Sequence, residues 1–381
     1  LHKIMPTLGR NPSRSNITLY CLNYLLQFFH ILHIIESNHL RIIAKPMNTL
    51  AIKIFDSTAT RLILFCSLLC CTVSLITSPS LAREMTAYAY ITNQGDDTVS
   101  VIDTAKKSVS KTIAVGKGPV GIAVSASMQR VYIANVESQE ISVINTLNNS
   151  VIQTIKINGA PVGLTLSPDN STLYVADWFA NKVLAISTQL PTTQRELNVG
   201  DAPAGLVVSP NNKWLYIANR DSDDIAIVDT ASLSIKKRIK VGSHPFGLSL
   251  SSSGKLLVSV NVRDDSVSLI NTKNYSQQKI KVGYHPYCAA ITADEKLLFV
   301  SNTQDDSVSV IDLTNNKTIK TITVGSTPEG ISIDPMNQHA YVANWGSNNV
   351  SIIDVNSLQV LATIKTGEKS RAFGQFILLS P

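Results

Sequence analysis

Cysteine, charge and familiar catalytic motifs are all scarce in this chain. Four of its five cysteines lie within the first 71 residues, so Cys288 stands alone after them and no disulfide can form in that later part. Only 16% of the residues are charged. The chain contains no Gly-x-x-x-x-Gly-Lys-Ser/Thr loop, no Gly-x-Gly-x-x-Gly turn between a strand and a helix, and no Gly-x-Ser-x-Gly elbow. Stability must therefore come from an apolar core, and nucleotide-binding or serine-hydrolase sites of those types are excluded.

The first 82 residues differ from the rest of the chain. Residues 1–46 match none of the repeats described below, and we interpret them as a non-native extension upstream of a start at Met47. The alternative is a membrane-associated helix in the apolar stretch from Tyr20 to Ile35.

From Met47 onward the pattern is typical of export. A basic stretch with Lys53 and Arg61 precedes the apolar run 62–76, and Ser80-Leu81-Ala82 supplies the small residues of a cleavage site. A membrane anchor is the alternative, but the run is shorter than the roughly 20 apolar residues that span a bilayer. We predict a signal peptide over residues 47–82 and a periplasmic or secreted domain over residues 83–381.

The charge of the chain belongs mostly to this leader. Residues 83–381 carry 26 Lys and Arg against 25 Asp and Glu, a net charge of +1, compared with +6 for the whole chain. A protein that neutralises phosphates needs a basic surface. We therefore predict that the mature domain does not bind nucleic acid. Separately, we expect it to be a monomer without a membrane span.

A four-residue pattern of the type Tyr-Ile-Ala-Asn occurs seven times in this domain. Its copies end at Asn93, Asn135, Asp177, Asn219, Asn261, Asn302 and Asn344, in steps of 42, 42, 42, 42, 41 and 42 residues. Short alternating strands at a period in the low forties are typical of a β-propeller with four strands per blade. The sequence predicts an all-β, seven-bladed propeller with four antiparallel strands per blade.

The phase of the repeat predicts how the ring closes. The domain enters at Tyr88 on the second strand of a blade, and it ends at residues 371–379 with a segment that matches an innermost strand. We expect the C-terminal strand to complete the N-terminal blade, which removes exposed sheet edges.

Each copy is followed by a strand resembling Val-Ser-Val-Ile-Asp, as at 99–103, 308–312 and 350–354. Together these motifs resemble the YVTN-repeat family of bacterial β-propellers from Tyr88 to the C-terminus. Asp177, Val258, Ser187 and Asn271 depart from the pattern without removing a blade. The resemblance implies the fold, and one branch of the family binds single-stranded nucleic acid, which the charge of +1 disfavours. Propeller lactonases and lyases resemble the fold too, but no set of Glu, Arg and His here matches theirs.

The crossover between blades carries Val-Gly-x-x-Pro, as in residues 115–119 and 324–328. We expect the residues flanking this proline to line the mouth of the central channel as rim positions that contribute little to the core. Three successive blades have small or apolar residues there, whereas the next four carry polar, charged and aromatic ones. The candidate ligand-binding residues are His244, Phe246, His285, Tyr287, Glu329, Lys369 and Arg371. The structural alternative is that His suits the turn and that Glu329 and Arg371 form an ion pair.

Three further residues follow the motif Asn or Asp directly on the same loop face: Trp178, Arg220 and Trp345. We expect them to contribute to recognition, although Trp also packs over blade ends. The paired aspartates at 96–97, 223–224, 264–265 and 305–306 suggest calcium, but their place before the third strand fits turn formation better.

The sequence thus predicts an exported, non-catalytic binding module that engages an unknown ligand or protein partner through its loop face. It predicts no catalytic residues, no metal and no cofactor. The alternative is a lactonase-like hydrolase or lyase at the channel mouth, with a divalent metal between His244 and His285.

Overall fold

The computed structural model describes residues 86–379, so the predicted extension and signal peptide lie outside the described residues. This part of the chain forms seven sheets of four antiparallel strands, one of which gains a short fifth strand in parallel, and two short 3-10 segments at Arg220–Ser222 and Val262–Asp264. No helix of residues 86–379 is long and apolar enough to cross a membrane. The predicted all-β, seven-bladed propeller is confirmed.

The first four blades follow one another along the chain. Blade 1 contains β1 (Ala87–Asn93), β2 (Thr98–Asp103) and β3 (Ser108–Ala114), and blade 2 contains β4 (Pro119–Ser125), β5 (Arg130–Asn135), β6 (Glu140–Asn145) and β7 (Ser150–Lys156). Blade 3 contains β8 (Pro161–Leu166), β9 (Thr172–Asp177), β10 (Lys182–Ser187) and β11 (Gln194–Asn198). Blade 4 contains β12 (Pro203–Val208), β13 (Trp214–Asn219), β14 (Asp224–Asp229) and β15 (Ser234–Lys240).

The remaining strands complete the ring. Blade 5 contains β16 (Pro245–Leu250), β17 (Leu256–Asn261), β18 (Ser266–Asn271) and β19 (Gln277–Lys281), and blade 6 contains β20 (Pro286–Ile291), β21 (Leu297–Asn302), β22 (Ser307–Asp312) and β23 (Lys317–Thr323). Blade 7 contains β24 (Pro328–Ile333), β25 (His339–Asn344), β26 (Asn349–Asp354) and β27 (Gln359–Lys365). Two short strands end the chain, β28 (Phe373–Gly374) and β29 (Ile377–Leu379).

Burial falls from the inner strands to the outer strand of each blade. In blade 1 nearly every residue of β1 and β2 is buried, whereas in the outer strand β3 only Ile113 is buried. Both faces of the second and third strands pack against neighbouring blades, so their polar positions are buried together with the apolar ones. The core therefore lies between the blades, in a ring around the central channel.

The repeated Asn and the crossover glycine fit against each other. Asn302 is fully buried, and its Nδ2 donates hydrogen bonds of 3.0 Å to the hydroxyls of Ser307 and Ser309 on the next strand. A Cβ atom on Gly283, in the crossover that enters this blade, would lie 2.7 Å from the Asn302 side chain. The spacing of the two motifs thus reflects one contact that each blade repeats.

The C-terminal segment closes the ring as predicted, but in two pieces. β29 pairs antiparallel with β1 and completes blade 1, whereas β28 pairs in parallel with β4 of blade 2. Ser370 lies opposite Asn93 and Ile377 lies opposite Ala89, so these two pairing positions are seven residues apart in the closing strand. The equivalent positions of blade 7, Pro328 and Ile333, are five residues apart. The two extra residues bulge into the channel.

Candidate functional site

The residue before each crossover proline adopts a left-handed backbone in most blades. The positive φ angles are 62° at Gly118, 49° at Ala202, 54° at His244, 53° at His285 and 52° at Thr327. Lys369, which precedes Ser370 where the other blades have the proline, has a φ of 55°. Glycine, Asn, Asp and His tolerate this region better than other residues do. The two histidines therefore suit the turn, as the structural alternative supposed, while their rings remain available for contacts.

The aspartate pairs cap these turns. Asp223 Oδ1 accepts a hydrogen bond of 2.8 Å from the backbone N–H of His244, and Asp306 Oδ1 accepts one of 2.8 Å from Thr327. Asn348 does the same for Lys369 at 2.7 Å. Within residues 86–379 no group of three or more His, Cys, Asp and Glu could hold a metal ion. The geometry supports the turn-forming role of the pairs.

The positions after the proline form an aromatic plug at the centre of the ring. Phe246 and Tyr287 are 5% and 8% exposed, and their ring centroids lie 4.3 Å apart. Glu329, at the same position in blade 7, is 7% exposed. The expectation that these are rim positions outside the core is therefore wrong for all three. They fill the channel.

Phe373 is part of this plug and was missed in the sequence. Its ring centroid lies 4.8 Å from that of Phe246. Because the closing strand is two residues longer than the others, Phe373 takes the position directly before Gly374. Phe246 takes the equivalent position before Gly247 in blade 5. The available signal was Gly374 itself, which aligns with the glycine of the inner strands and fixes the register.

Arg371 lies on top of the plug and is held by side chains from three blades. Its Nη2 donates to the Tyr287 hydroxyl, its Nη1 donates to Gln94 Oε1 at 3.1 Å, and its Nε lies 2.6 Å from Glu329 Oε2. The Nε–Glu329 contact lacks hydrogen-bond geometry. About a fifth of the Arg371 side chain remains exposed. Burial raises the pKa of Glu329, although the Arg371 charge opposes that shift.

Two tryptophans of the same loop face each have a cation over the ring. Trp345 Nε1 donates to Gln94 Oε1 at 3.2 Å, and Lys369 Nζ lies 5.5 Å from the Trp345 ring centroid. The Arg220 guanidinium lies 5.5 Å from the ring of Trp178. Gln94 directly follows the motif residue Asn93, just as each tryptophan directly follows the motif Asn or Asp of its own blade. The same position in the repeat could therefore have predicted Gln94 from the sequence.

Trp178 also contacts the aromatic plug. Its ring centroid lies 5.7 Å from that of Phe246. We use the name mouth cluster for Gln94, Trp178, Arg220, His244, Phe246, His285, Tyr287, Glu329, Trp345, Lys369, Arg371 and Phe373. The cluster comprises the ten sequence-predicted site residues together with Gln94 and Phe373, with the aromatic plug below and the cations and tryptophans above, and a role of these residues in ligand binding stays a prediction.

The two histidines lie half-buried at the edge of the mouth cluster. His244 Nδ1 lies 3.0 Å from the Ser243 hydroxyl, and His285 Nδ1 lies 3.0 Å from the Thr303 hydroxyl. Burial lowers the pKa of both imidazoles. This shift favours the uncharged imidazole, which acts as a hydrogen-bonding group.

The C-terminal bulge crosses the channel beneath Arg371. The backbone N–H of Gly330 in blade 7 donates to the carbonyl oxygen of Arg371 at 3.0 Å, and Phe373 and Gly374 then pair with Gly121 and Ile122 of blade 2. The plug thus separates the mouth cluster from the opposite end of the channel.

A family model for YNCE-like beta-propellers matches residues 51–378. The chain belongs to the YNCE-like beta-propeller family. No curated protein matches its sequence.

Solved structures similar to this YNCE-like propeller share its fold at low identity. Hydrazine synthase of Kuenenia stuttgartiensis is 22% identical, with a TM-score of 0.64, over 70% of this chain and 92% of that one. A putative 6-phosphogluconolactonase of Bacteroides fragilis is 15% identical, with a TM-score of 0.65, over 80% of this chain and all of that one. Virginiamycin B lyase of Staphylococcus aureus is 17% identical, with a TM-score of 0.56, over 65% and 84% of the two chains. These likenesses show the fold alone.

The mouth cluster of this YNCE-like propeller combines apolar stacking surface with a fixed cation. The half-buried rings of Trp178 and Trp345 supply apolar surface next to the cations of Arg220 and Lys369, and Arg371 presents N–H donors from a guanidinium whose position is set by its neighbours. Arg forks suit carboxylate and phosphate groups. Chemically, the arrangement can hold a ligand that joins an aromatic or apolar part to an anionic group.

Proposed function

We propose that this chain is an exported, non-catalytic binding module of the YVTN-repeat type. Its ligand or protein partner docks on the mouth cluster through an anionic group at Arg371 and Lys369 and an aromatic or apolar part at the tryptophans. The observation that carries the proposal is the fixation of the Arg371 guanidinium by Tyr287, Gln94 and Glu329. A cation already held in one orientation loses little freedom when it binds an anion.

Simple aromatic anions test this proposal. Benzoate, phenyl phosphate and toluenesulfonate each carry one ring and one anionic group, and binding near Trp178 and Trp345 would change tryptophan fluorescence. We expect at least one of them to bind saturably, and the Arg371→Gln and Lys369→Gln variants to weaken that binding by about tenfold or more, since charge-assisted hydrogen bonds are worth about 1.5–3 kcal/mol. The matched control is Lys236→Gln, an exposed lysine on the outer strand of blade 4.

The choice of variants follows from burial. Tyr287→Ala would leave a void in the aromatic plug, at a cost of roughly 3–5 kcal/mol in stability. Tyr287→Phe keeps the ring and removes only the hydroxyl that holds Arg371. The proposal fails if none of the three anions binds, or if Lys236→Gln weakens binding as much as Arg371→Gln does.

Export is tested separately. N-terminal sequencing of the protein from fractionated cells is expected to find a chain beginning near Arg83 outside the cytoplasm. A cytoplasmic protein that retains Met47 would contradict this. An electrophoretic shift assay with single-stranded DNA at low and moderate salt is expected to show no binding, because residues 83–381 carry a net charge of only +1.

A hydrolase or lyase at the same cluster is the second candidate. It is favoured by one observation: a buried carboxyl with a raised pKa, Glu329, lies beside the Tyr287 hydroxyl and the Arg371 guanidinium. Perturbed carboxyls of this kind recur at catalytic sites. A screen of lactones and esters, together with the metal content of the purified protein, separates the two candidates. If the protein turns over a substrate, and the Glu329→Gln variant folds but has lost this turnover, then the protein is an enzyme and the binding-module proposal is wrong.

A further inference from the structure

A second concave site lies on the other side of the aromatic plug. We call it the far-side cavity: it has a volume of about 460 Å³, and inner-strand residues of blades 2 to 7 line it together with the C-terminal segment 373–375. Cys288, Phe373 and Gly374 lie at its inner end, and the turns containing Pro210 and Ser252 flank its opening. Pockets that hold small molecules measure roughly 300–1,000 Å³. The far-side cavity is large enough for one such molecule.

No residue lining the far-side cavity is an Asp, Glu, Lys, Arg or His. Its walls carry apolar side chains that keep part of their surface exposed, including Leu166, Val208 and Leu250. The polar side chains are few and uncharged, for example Thr165 and Ser249. A charged molecule would lose its hydration here without meeting an opposite charge, which is costly.

The main chain supplies hydrogen-bonding groups to the same space. The inner strands β8, β12, β16 and β20 each pair with one neighbouring strand, so their second edge runs along the channel. An unpaired strand edge presents a row of N–H donors and C=O acceptors. The corresponding edge of β4 is covered by β28, and that of β24 is partly covered by the hydrogen bond from the Gly330 N–H to the Arg371 carbonyl. The walls therefore combine apolar side chains with uncharged donors and acceptors.

We propose that the far-side cavity binds an uncharged organic molecule with an apolar body and hydroxyl, ether or amide groups. This site is separate from the mouth cluster, because Phe246 and Phe373 fill the channel between them. It does not depend on the function proposed for the mouth.

Two dyes with the same aromatic body test the proposal. N-phenyl-1-naphthylamine is uncharged, and 8-anilinonaphthalene-1-sulfonate adds one sulfonate to it. The titrations contain excess toluenesulfonate, which occupies the mouth cluster if that site takes aromatic anions. We expect the neutral dye to bind saturably with enhanced fluorescence, and the sulfonate to bind at least about tenfold more weakly, a difference of about 1.4 kcal/mol.

Substitutions at Ser249 locate the bound dye. Ser249 lines the cavity and is half-buried, and its hydroxyl makes no hydrogen bond to another residue of the described part of the chain. Ser249→Trp fills the space and is expected to weaken the neutral dye by about tenfold or more. Ser249→Lys adds the missing counter-charge and is expected to improve sulfonate binding relative to the neutral dye by about tenfold. Ser108→Lys, on an exposed position of β3, is the matched control and should change neither affinity.

The lysine variants keep the test decisive if Ser249→Trp does not fold. The proposal is overturned if the neutral dye shows no saturable binding, or if the sulfonate binds the unmodified protein equally well. It is also overturned if Ser249→Lys leaves the ratio of the two affinities unchanged, because the dyes would then bind elsewhere.

Discussion

Deleting residues 371–381 is expected to prevent stable folding of the propeller. The segment buries four large apolar side chains: Phe373, Phe376, Ile377 and Leu378 are 5%, 0%, 2% and 3% exposed. Full burial of such a side chain contributes about 1.5–3 kcal/mol, so together they contribute about 6–12 kcal/mol. The whole free energy of unfolding of a typical domain is about 5–15 kcal/mol. The deletion therefore removes an amount comparable to the total.

The deletion also leaves polar partners without their bonds. The backbone N–H of Tyr90 donates to the Phe376 carbonyl at 2.9 Å, and the Thr92 hydroxyl accepts from the Ala372 N–H at 2.8 Å. Both Tyr90 and Thr92 are buried in the intact ring. Each buried group that loses its partner costs a further 1–3 kcal/mol or so.

Thermal unfolding followed by circular dichroism measures the effect, and we expect no cooperative transition for the truncated chain. A synthetic peptide of residues 371–381, added in trans, should restore a transition. A peptide with Phe376→Asp and Ile377→Asp is the control and should not. A truncated protein that melts cooperatively at the parent temperature would refute the reasoning, since closure would then rest on other contacts.

Three other predictions concern turns, glycine and pH. Asp306→Ala should lower the free energy of unfolding by about 1–2 kcal/mol, because the Thr327 N–H loses its acceptor, whereas Asp306→Asn should have little effect and calcium should not raise the melting temperature. Gly163→Ala should destabilise by about 1–3 kcal/mol in urea unfolding, since its Cβ would overlap the Ala204 carbonyl oxygen; equal stability would mean that the strands can separate there. Burial lowers the pKa of His285, so the unfolded chain binds more protons and stability falls as the pH drops through about 6.5. His285→Asn should reduce the loss of melting temperature between pH 7 and pH 5, and an unchanged loss would assign it to other groups.

The blade pattern could be read from the sequence because it rests on local, repeated contacts. Each Asn that ends a Tyr-Ile-Ala-Asn-like strand bonds to a polar side chain five or seven residues later, and Asn302 bonds to both Ser307 and Ser309. Contacts of this range recur at a fixed spacing, so the period of the chain reveals them. The sequence also predicted the turn-forming role of the aspartate pairs, because their contacts stay within one repeat. Asp306 and Thr327, for example, are separated by one hairpin and one crossover.

The residue types at the channel mouth could also be inferred from the sequence, but how deeply their side chains are buried could not. The repeat register placed Phe246, Tyr287 and Glu329 at one level of the ring. Whether a side chain at that level is exposed depends on how far seven inner strands approach one another. That distance is a property of the closed ring and not of any single blade.

By itself, the sequence determined the all-β class, the seven blades, the strand phase and the closure of blade 1 by the C-terminus, because each depends on periodicity along the chain. Only the tertiary structure decided that the closing strand is two residues longer than the others, that Phe373 enters the plug and that Arg371 meets Gln94. The contact between Arg371 and Gln94 joins residues 277 positions apart. The channel is filled at its centre because the C-terminal segment contacts blades 2 and 7 on its way to closing blade 1, and no repeat within a blade encodes those contacts.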